Sequence, residues 1–352
     1  MSLPVLSLGQ ASPAGAAIGV SYRGEYMVEV GGVCGNDGTP VDVDTCFDLA
    51  SVTKVVATIC ILHRLAELGQ ITLDDRVSRY LPWVPDQITV RNLAYHRGGM
   101  WEWQPLYLSG ENPRQSIMDL PLRYGVDKER HYSDLGFMVL GFMIEAAAGV
   151  PLDTAFSELI ASPVGLTRTG FGPADESVAS GGIGDLVEQG MVRSGEPYPI
   201  LFSDQNFPWR SGETRGEAND GNAFHAYSGV AGHAGLFSTV VDLLRLLVSL
   251  ASQEDLWGET SAAVFADGPD PGQGFGWKSM PIQWEGQPRR MLWHPGFTGC
   301  AAGFIPHEDC TVVMLTNRLL APNPTTTESL WRTTLSGLTS MGIDLPNEGM
   351  PT

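Results

Sequence analysis

The chain is poor in lysine, in long apolar runs and in paired cysteines. Its 352 residues include 3 lysines and 18 arginines. No stretch reaches the roughly 18 uninterrupted apolar residues of a membrane-spanning helix, so we expect no such helix. The cysteines show no CxxC spacing, which indicates neither a zinc site nor a disulfide framework, and we expect free thiols. They are Cys34, Cys46, Cys60, Cys300 and Cys310.

Positive charge is also scarce, because the formal net charge is −19 and the sequence pI is about 4.6. An acidic surface repels phosphate backbones, so we expect neither nucleic acid nor an anionic membrane as a partner. Solubility alone explains such a surface. Residues 1–17 lack the charged and apolar regions of a signal peptide. We therefore expect the chain as given to be cytoplasmic, with a trimmed export signal left open.

Strand patterns lie at both ends of the chain. Residues 17–33 alternate apolar and polar side chains around a short turn, which predicts a hairpin. Late in the chain, three more strands are predicted at 290–293, 300–305 and 311–317. A last helix begins near Thr326.

The middle of the chain has a helical texture and long polar loops. Strands at both ends around a helical middle predict an α/β (α+β) fold, with one antiparallel sheet built from both termini and flanked by helices. We expect a sheet domain of residues 1–70 plus 231–352 and a mainly helical insertion domain of residues 71–230. Within the insertion, the polar and glycine-rich stretch 172–222 predicts a surface loop.

Ser51 opens a predicted helix over residues 51–68, and Lys54 lies one turn later. Residues at i and i+3 of a helix share a face, so the two side chains should meet. The helix N-terminus favours an anionic oxygen, and a desolvated lysine can lose its proton whereas an arginine cannot. Lys54 is therefore a candidate base for a Ser51 nucleophile. The alternative is an N-cap serine beside an exposed lysine, because one Ser-x-x-Lys match alone is weak.

Two further segments carry candidate site residues. The segment 132–134 (Tyr-Ser-Asp) opens a helix predicted over 134–148 and offers a phenol and a carboxylate. The alternative is an ordinary helix cap. The segment 294–296 (His-Pro-Gly) follows a predicted strand, where a glycine lets a ligand approach the backbone. Turn glycines at a strand end are the alternative.

In serial order, Ser-x-x-Lys, Tyr-x-Asp and His-x-Gly resemble the motifs of the serine β-lactamase and penicillin-binding-protein superfamily. The likeness is greatest to its class C-like branch, which includes esterases and D-amino-acid peptidases. It implies a β-lactamase/transpeptidase-like fold. Further similar segments cover nearly the whole chain, at 65–75, 80–82, 88–93 with His96, 232–239 and 315–318.

The resemblance also implies a mechanism. Ser51 attacks a carbonyl carbon and becomes acylated, while Lys54 and Tyr132 share the proton transfers, with the base left open between them. The backbone N–H groups of Ser51 and Phe297 form the oxyanion hole. No metal or organic cofactor is implied. The residues implied to contact substrate are Asp134, His294 and Gly296.

Two departures from the β-lactamase pattern direct the functional prediction. Asp134 stands where asparagine is usual, and its carboxylate favours the charged form of Lys54, which moves base duty toward Tyr132. Pro295 offers neither hydroxyl nor N–H, and a neutral His294 supplies no fixed cation for a lactam carboxylate. We therefore expect an esterase acting on small acyl substrates. A D-amino-acid peptidase or carboxypeptidase and a weak β-lactamase, acting on amides or lactams, are the alternatives.

A hypothesis of another class is a non-catalytic relative that keeps the fold as a binding or assembly module. The joint presence of the serine, lysine and tyrosine argues against it. No HExxH helix occurs, so no metal site is expected. An aromatic group in the loop after residue 99 is expected either to roof the acyl pocket or to pack in the core. Its members are Trp101, Trp103 and Tyr107.

Overall fold

The fold is given by a computed structural model that describes residues 3–252 and 256–345. The strands are β1 (Gly15–Tyr22), β2 (Glu25–Gly32), β3 (Phe47–Asp48), β4 (Gly170–Phe171), β5 (Ser180–Ile183), β6 (Glu213–Arg215), β7 (Leu236–Ser238), β8 (Lys278–Trp284), β9 (Gln287–Pro295), β10 (Ala301–Phe304), β11 (Cys310–Thr316) and β12 (Ile343–Asp344). The α-helices are α1 (Cys60–Glu67), α2 (Val90–Ala94), α3 (Pro113–Asp119), α4 (Asp134–Ala148), α5 (Leu152–Phe156), α6 (Ser162–Val164), α7 (Leu186–Ser194), α8 (Val240–Ser252), α9 (Ser261–Val264) and α10 (Thr327–Ser336).

The central sheet has seven strands in the order β12-β8-β9-β10-β11-β1-β2, and each neighbouring pair is antiparallel. Strand β1 lies beside β11, with Ile18 opposite Met314 and Val20 opposite Val312. The sheet is thus built from both ends of the chain, as predicted. Strand β8 was not predicted from the sequence, where Pro281 and the polar residues around it hide the strand pattern.

The two faces of the sheet bury two separate hydrophobic clusters. Because successive residues of a strand point to opposite faces, Ala17 and Leu315 join the cluster around α1, α4 and α8, whereas Ile18 and Met314 join the cluster around α10. All five cysteines are buried free thiols, as expected. The larger cluster draws residues from both proposed domains, so it does not separate them. The two-domain division of the chain stays a prediction.

The helix after Ser51 runs through the larger cluster. Residues Lys54–Ile59 are π-helical and all buried, and they continue directly into α1. A helix that is apolar on all sides packs in the interior, and single π-helical turns recur at functional sites. The predicted helix of residues 51–68 is confirmed in position, with a wider first turn than an α-helix has.

The prediction of a surface loop over residues 172–222 is wrong. Strands β5 and β6 pair with each other and α7 lies between them in sequence. The buried Asp185 carboxylate pairs with Arg210 at 2.7 Å and with His225 at 3.0 Å. Polar pairs therefore stabilise this region in place of an apolar period, which is why the sequence pattern did not reveal it.

Within the described residues, no single helix is long and apolar enough to cross a membrane. Helix α4 and the helical segment Leu152–Val164 reach the length and apolar composition of a membrane span only when they are taken together, and the pair is bent by 75°.

Candidate active site

Ser51 is presented by a tight turn between strand β3 and the buried helix. Ala50 adopts a φ of 44°, which is rare for a residue with a side chain and is tolerated where the surroundings hold it. The buried Asp48 provides that support, since its Oδ1 accepts a hydrogen bond of 2.8 Å from the Ala50 N–H. Thr298 Oγ1 donates to the Asp48 carbonyl at 2.7 Å and ties the turn to the sheet. Sequence reasoning missed Asp48.

Lys54 and Ser51 meet as predicted. Lys54 Nζ lies 2.7 Å from Ser51 Oγ, donates to the His233 carbonyl at 3.3 Å and pairs with Asp134 Oδ1 at 2.7 Å. The lysine side chain is fully buried. The alternative of an N-cap serine beside an exposed lysine is therefore wrong.

The pKa of Lys54 decides its role. Burial lowers this pKa, but the Asp134 carboxylate and the Tyr132 phenol outweigh burial, so the net pKa is raised above its ordinary value. Lys54 therefore remains an ammonium, and it donates a hydrogen bond to Ser51 Oγ. This geometry disfavours the hypothesis that desolvation makes Lys54 the base, and it agrees with the expectation that Asp134 keeps the lysine charged.

Tyr132 completes the cluster. Its ring centroid lies 5.0 Å from Lys54 Nζ, and it lines the same two cavities as Ser51. Burial raises the pKa of Tyr132, while the Lys54 ammonium opposes that shift by favouring the phenolate. The His96 ring packs on Tyr132 at 4.5 Å between centroids and accepts the Ser133 N–H at 3.0 Å. His96 thus fixes the orientation of the segment that carries the phenol.

The segment 132–134 serves as a helix start and as part of the site. Ser133 Oγ accepts the Gly136 N–H at 3.0 Å and so caps α4. The flanking Tyr132 and Asp134 side chains both reach Lys54. The capping and catalytic interpretations are therefore compatible.

Two backbone N–H groups are available for the predicted oxyanion hole. Among residues 3–252 and 256–345, neither the Ser51 nor the Phe297 N–H donates to a protein acceptor. Gly296 allows the close approach of this strand end, because a Cβ there would lie 2.3 Å from the Leu49 carbonyl oxygen. Arg318 Nε donates to the Phe297 carbonyl at 2.8 Å and holds that peptide in place.

His294 is buried, and its Nδ1 donates to the Pro295 carbonyl at 2.8 Å. Burial, reinforced by the nearby Lys54 and Lys278 charges, lowers the pKa of His294 well below its usual range. The imidazole is therefore neutral and supplies no fixed cation, as the sequence led us to expect.

A cavity of about 430 Å³ opens on one side of Ser51, and we call it the cation cavity. Its wall carries three cationic side chains and a single carboxylate, Glu328. Lys278 Nζ lies 3.6 Å from Glu328. The cations are Arg130, Lys278 and Arg318. Sequence reasoning assigned no site role to any of the three, although Arg318 lies in the similar segment 315–318 and the rarity of lysine could have drawn attention to Lys278.

A second cavity of about 180 Å³ also borders Ser51, and we call it the acidic cavity. Both cavities include Ser51 in their walls. Of the three aromatic residues expected at an acyl pocket, Trp103 lines this cavity. Trp101 instead donates to Pro121, and Tyr107 donates to Glu188 from behind the wall. The other side chains that shape the acidic cavity include Asp134, Val187, Glu188, Met191, Tyr198, Asn219 and Asp220.

In the described part of the chain, no three His, Cys, Asp or Glu side chains group closely enough to hold a metal ion. The site instead places a hydroxyl, a buried ammonium and a phenol at a helix start, beside two free N–H groups. Such an arrangement defines a serine hydrolase that acts by acyl transfer. The family model described as Beta-lactamase matches residues 8–332, and the chain belongs to this family.

Named relatives fit this assignment. The chain is 29% identical to an N-acetylmuramyl-L-alanine amidase of Bacillus subtilis, over 79% of this chain and 69% of the relative. It is 29% identical to an Escherichia coli protein named "Putative D-alanyl-D-alanine carboxypeptidase", over 79% of this chain and 70% of the relative. The fold matches a class C β-lactamase from Rhodobacter sphaeroides with a TM-score of 0.72 at 20% identity, over 97% and 99% of the two chains.

Proposed function

We propose that the chain is a carboxypeptidase-type serine hydrolase, which transfers the acyl part of a D-peptide to Ser51 and releases an amino acid with a free carboxylate. The observation that carries the proposal is the cation cavity beside Ser51. A leaving group that ends in a carboxylate would lie against Arg130 and Lys278 while its scissile carbonyl faces Ser51.

Arg130 is the strongest indication of an anionic ligand. Its Nε is buried and has no hydrogen-bond partner among the described residues, and burial lowers its pKa. A buried donor without an acceptor is costly, and a guanidinium binds a carboxylate in bidentate geometry. A substrate carboxylate would supply the missing acceptor.

The expectation of an esterase rested on the lack of a cation beside His294. Lys278 and Arg130 supply that charge from other elements of the fold. A neutral ester would leave the Arg130 Nε without an acceptor, whereas the carboxylate of a peptide acid would supply one. The printed names of the two relatives, an amidase and a carboxypeptidase, support an amide substrate.

In the proposed reaction, Tyr132 is the base because Lys54 is held as an ammonium. The phenolate of Tyr132, stabilised by Lys54, accepts the Ser51 proton as Oγ bonds to the carbonyl carbon. The oxyanion is held by the N–H groups of Ser51 and Phe297. Tyr132 then returns the proton to the leaving nitrogen as the C–N bond breaks. In the second half, water gives a proton to Tyr132 as its oxygen bonds to the acyl carbon. The bond between that carbon and Ser51 Oγ then breaks, and Tyr132 returns the proton to Oγ.

A substrate panel tests this function. Nα-acetyl-D-alanyl-D-alanine, p-nitrophenyl acetate and a chromogenic cephalosporin are compared by kcat/KM, with the Ser51→Ala variant beside the wild type. We expect the peptide acid to be the preferred substrate and the variant to be inactive. Higher kcat/KM for the ester would restore the esterase hypothesis, and preference for the cephalosporin would restore the β-lactamase. No turnover and no acylation of Ser51 would favour the binding module.

A further inference from the structure

The acidic cavity is lined by carboxyl groups, whereas the cation cavity is lined mainly by cationic side chains. Among the described residues that line it, none is a lysine or arginine, whereas three are carboxylic acids. Asp134 is neutralised by its ion pair with Lys54. Asp220 accepts from the Ala223 N–H at 2.8 Å and lies 2.9 Å from His233 Nε2, in both cases through Oδ1. In the described part of the chain, no cationic side chain pairs with Glu188, which is hydrogen-bonded to Tyr107 and Gly221.

Glu188 and Asp220 both line the acidic cavity, and Glu188 accepts a hydrogen bond from the backbone N–H of the residue that follows Asp220. Glu188 accepts hydrogen bonds of 2.6 Å from the Tyr107 hydroxyl and from the Gly221 N–H. Burial and the neighbouring Asp220, with a smaller contribution from Asp185, raise the pKa of Glu188 to about 8. A cation bound beside Glu188 and Asp220 would favour the carboxylate form of Glu188, because it offsets the repulsion between two charged carboxylates.

A ligand must enter this cavity if Ser51 is acylated. Ser51, Tyr132, Tyr198 and Phe297 are common to both cavities, so a substrate whose leaving group fills the cation cavity extends its acyl part into the acidic one. The wall there also presents Trp103 and Tyr198, and aromatic faces attract ammonium groups. The carboxyl groups and the aromatic surface therefore both favour an acyl substituent that carries an ammonium group.

We propose that the acidic cavity binds a primary ammonium group on the acyl part of the substrate, with Glu188 and Asp220 as the residues that select it. The preferred substrate is then zwitterionic, with its ammonium in the acidic cavity and its carboxylate in the cation cavity. This inference rests on the proposed function, because it assumes that Ser51 is acylated by a peptide acid. It adds to the proposed function that the enzyme also selects the acyl part of its substrate.

Two matched substrate pairs test the inference and separate two sources of the ammonium. D-alanyl-D-alanine against its Nα-acetyl form tests an α-ammonium. Nα-acetyl-L-lysyl-D-alanyl-D-alanine against its Nα,Nε-diacetyl form tests a side-chain ammonium. We expect at least one pair to show a kcat/KM that is about tenfold higher for the charged member.

The Glu188→Gln variant should bring that ratio close to one, because glutamine keeps the size of the side chain and cannot form the carboxylate that a bound ammonium would favour. The matched control is Glu158→Gln, an exposed carboxylate outside both cavities, which should leave the ratio unchanged. Ratios near one in both pairs for the wild type, or a ratio that Glu188→Gln leaves intact, would overturn the inference.

The same data separate this inference from the proposed function. If the acetylated peptides acylate Ser51 and are hydrolysed as fast as the charged peptides, the carboxypeptidase assignment stands and the ammonium site falls. If no peptide acylates Ser51, both are wrong.

Discussion

The cation cavity and the acidic cavity share Ser51, Tyr132, Tyr198 and Phe297 but differ in most of their other wall residues. The first is the larger and carries three cations with one carboxylate, whereas the second carries carboxylic acids and Trp103. The shared wall holds the groups that act on a carbonyl. Reaction type and selectivity therefore depend on different residues of this site, so variants should separate the two.

The largest effect should follow from the residue that both cavities share. Ser51→Ala removes the nucleophile, so we expect kcat to fall by about 10³-fold or more for every substrate, whichever cavity that substrate fills. Stopped assays with product quantification measure the rate. An unchanged thermal unfolding midpoint would show that the fold is intact. Residual turnover near the wild-type rate would mean that the shared wall is not the catalytic centre.

The next effect should be confined to the cation cavity. Replacing both Lys278 and Arg130 by methionine should lower the preference for a C-terminal carboxylate over its amide by roughly 10- to 100-fold, mainly through KM, because two charged contacts are lost. Kinetics on the acid and amide forms of one peptide measure this preference. Lys128→Met, at an exposed lysine outside both cavities, is the matched control. An equal loss for both forms would contradict a role in selectivity.

A smaller effect is expected within the shared wall, from Asp134. In the wild type, kcat/KM should rise with pH into the alkaline range, because the base Tyr132 must lose its proton and burial raises its pKa. Asp134→Asn removes the main group that raises the pKa of Lys54, so burial then lowers that pKa and a neutral lysine becomes available. The rising limb of the pH–rate profile should therefore move to lower pH. A limb that stays in place would contradict this assignment of the base.

The smallest effect is expected from Asp48, which supports the turn that presents Ser51. Asp48→Ala should lower the free energy of unfolding by about 1–3 kcal/mol, since it leaves the N–H groups of Ala50 and Asn219 without their acceptor. Chemical denaturation measures the loss. Asp44→Ala, at an exposed position of the same loop, should change it little. Equal stability of the two variants would show that the turn does not depend on Asp48.

The shared wall was largely predictable from the sequence, because it is built from short local spacings. Ser51 and Lys54 are one helical turn apart, which brings their side chains together in any helix. The bounds of α4 were also predictable, since Ser133 caps its start and Gly149, with a φ of 73°, ends it. Local rules of this kind do not depend on the rest of the fold.

The walls that the cavities do not share could not be predicted. Arg130 precedes α4, Lys278 begins β8 and Arg318 follows β11, so only the folded sheet brings them together. Glu188 lies on α7, within the region that was wrongly predicted to be a loop. No local sequence spacing predicts that these residues lie together, because their proximity depends on tertiary contacts between distant segments.

The most direct test of the account is intact-mass spectrometry of the protein mixed with Nα-acetyl-D-alanyl-D-alanine or with its C-terminal amide, followed by mapping of the acylated residue. The account predicts an acetyl-D-alanyl adduct on Ser51 that forms about tenfold faster from the acid than from the amide. Equal rates from the two peptides, or an adduct on a residue other than Ser51, would contradict it.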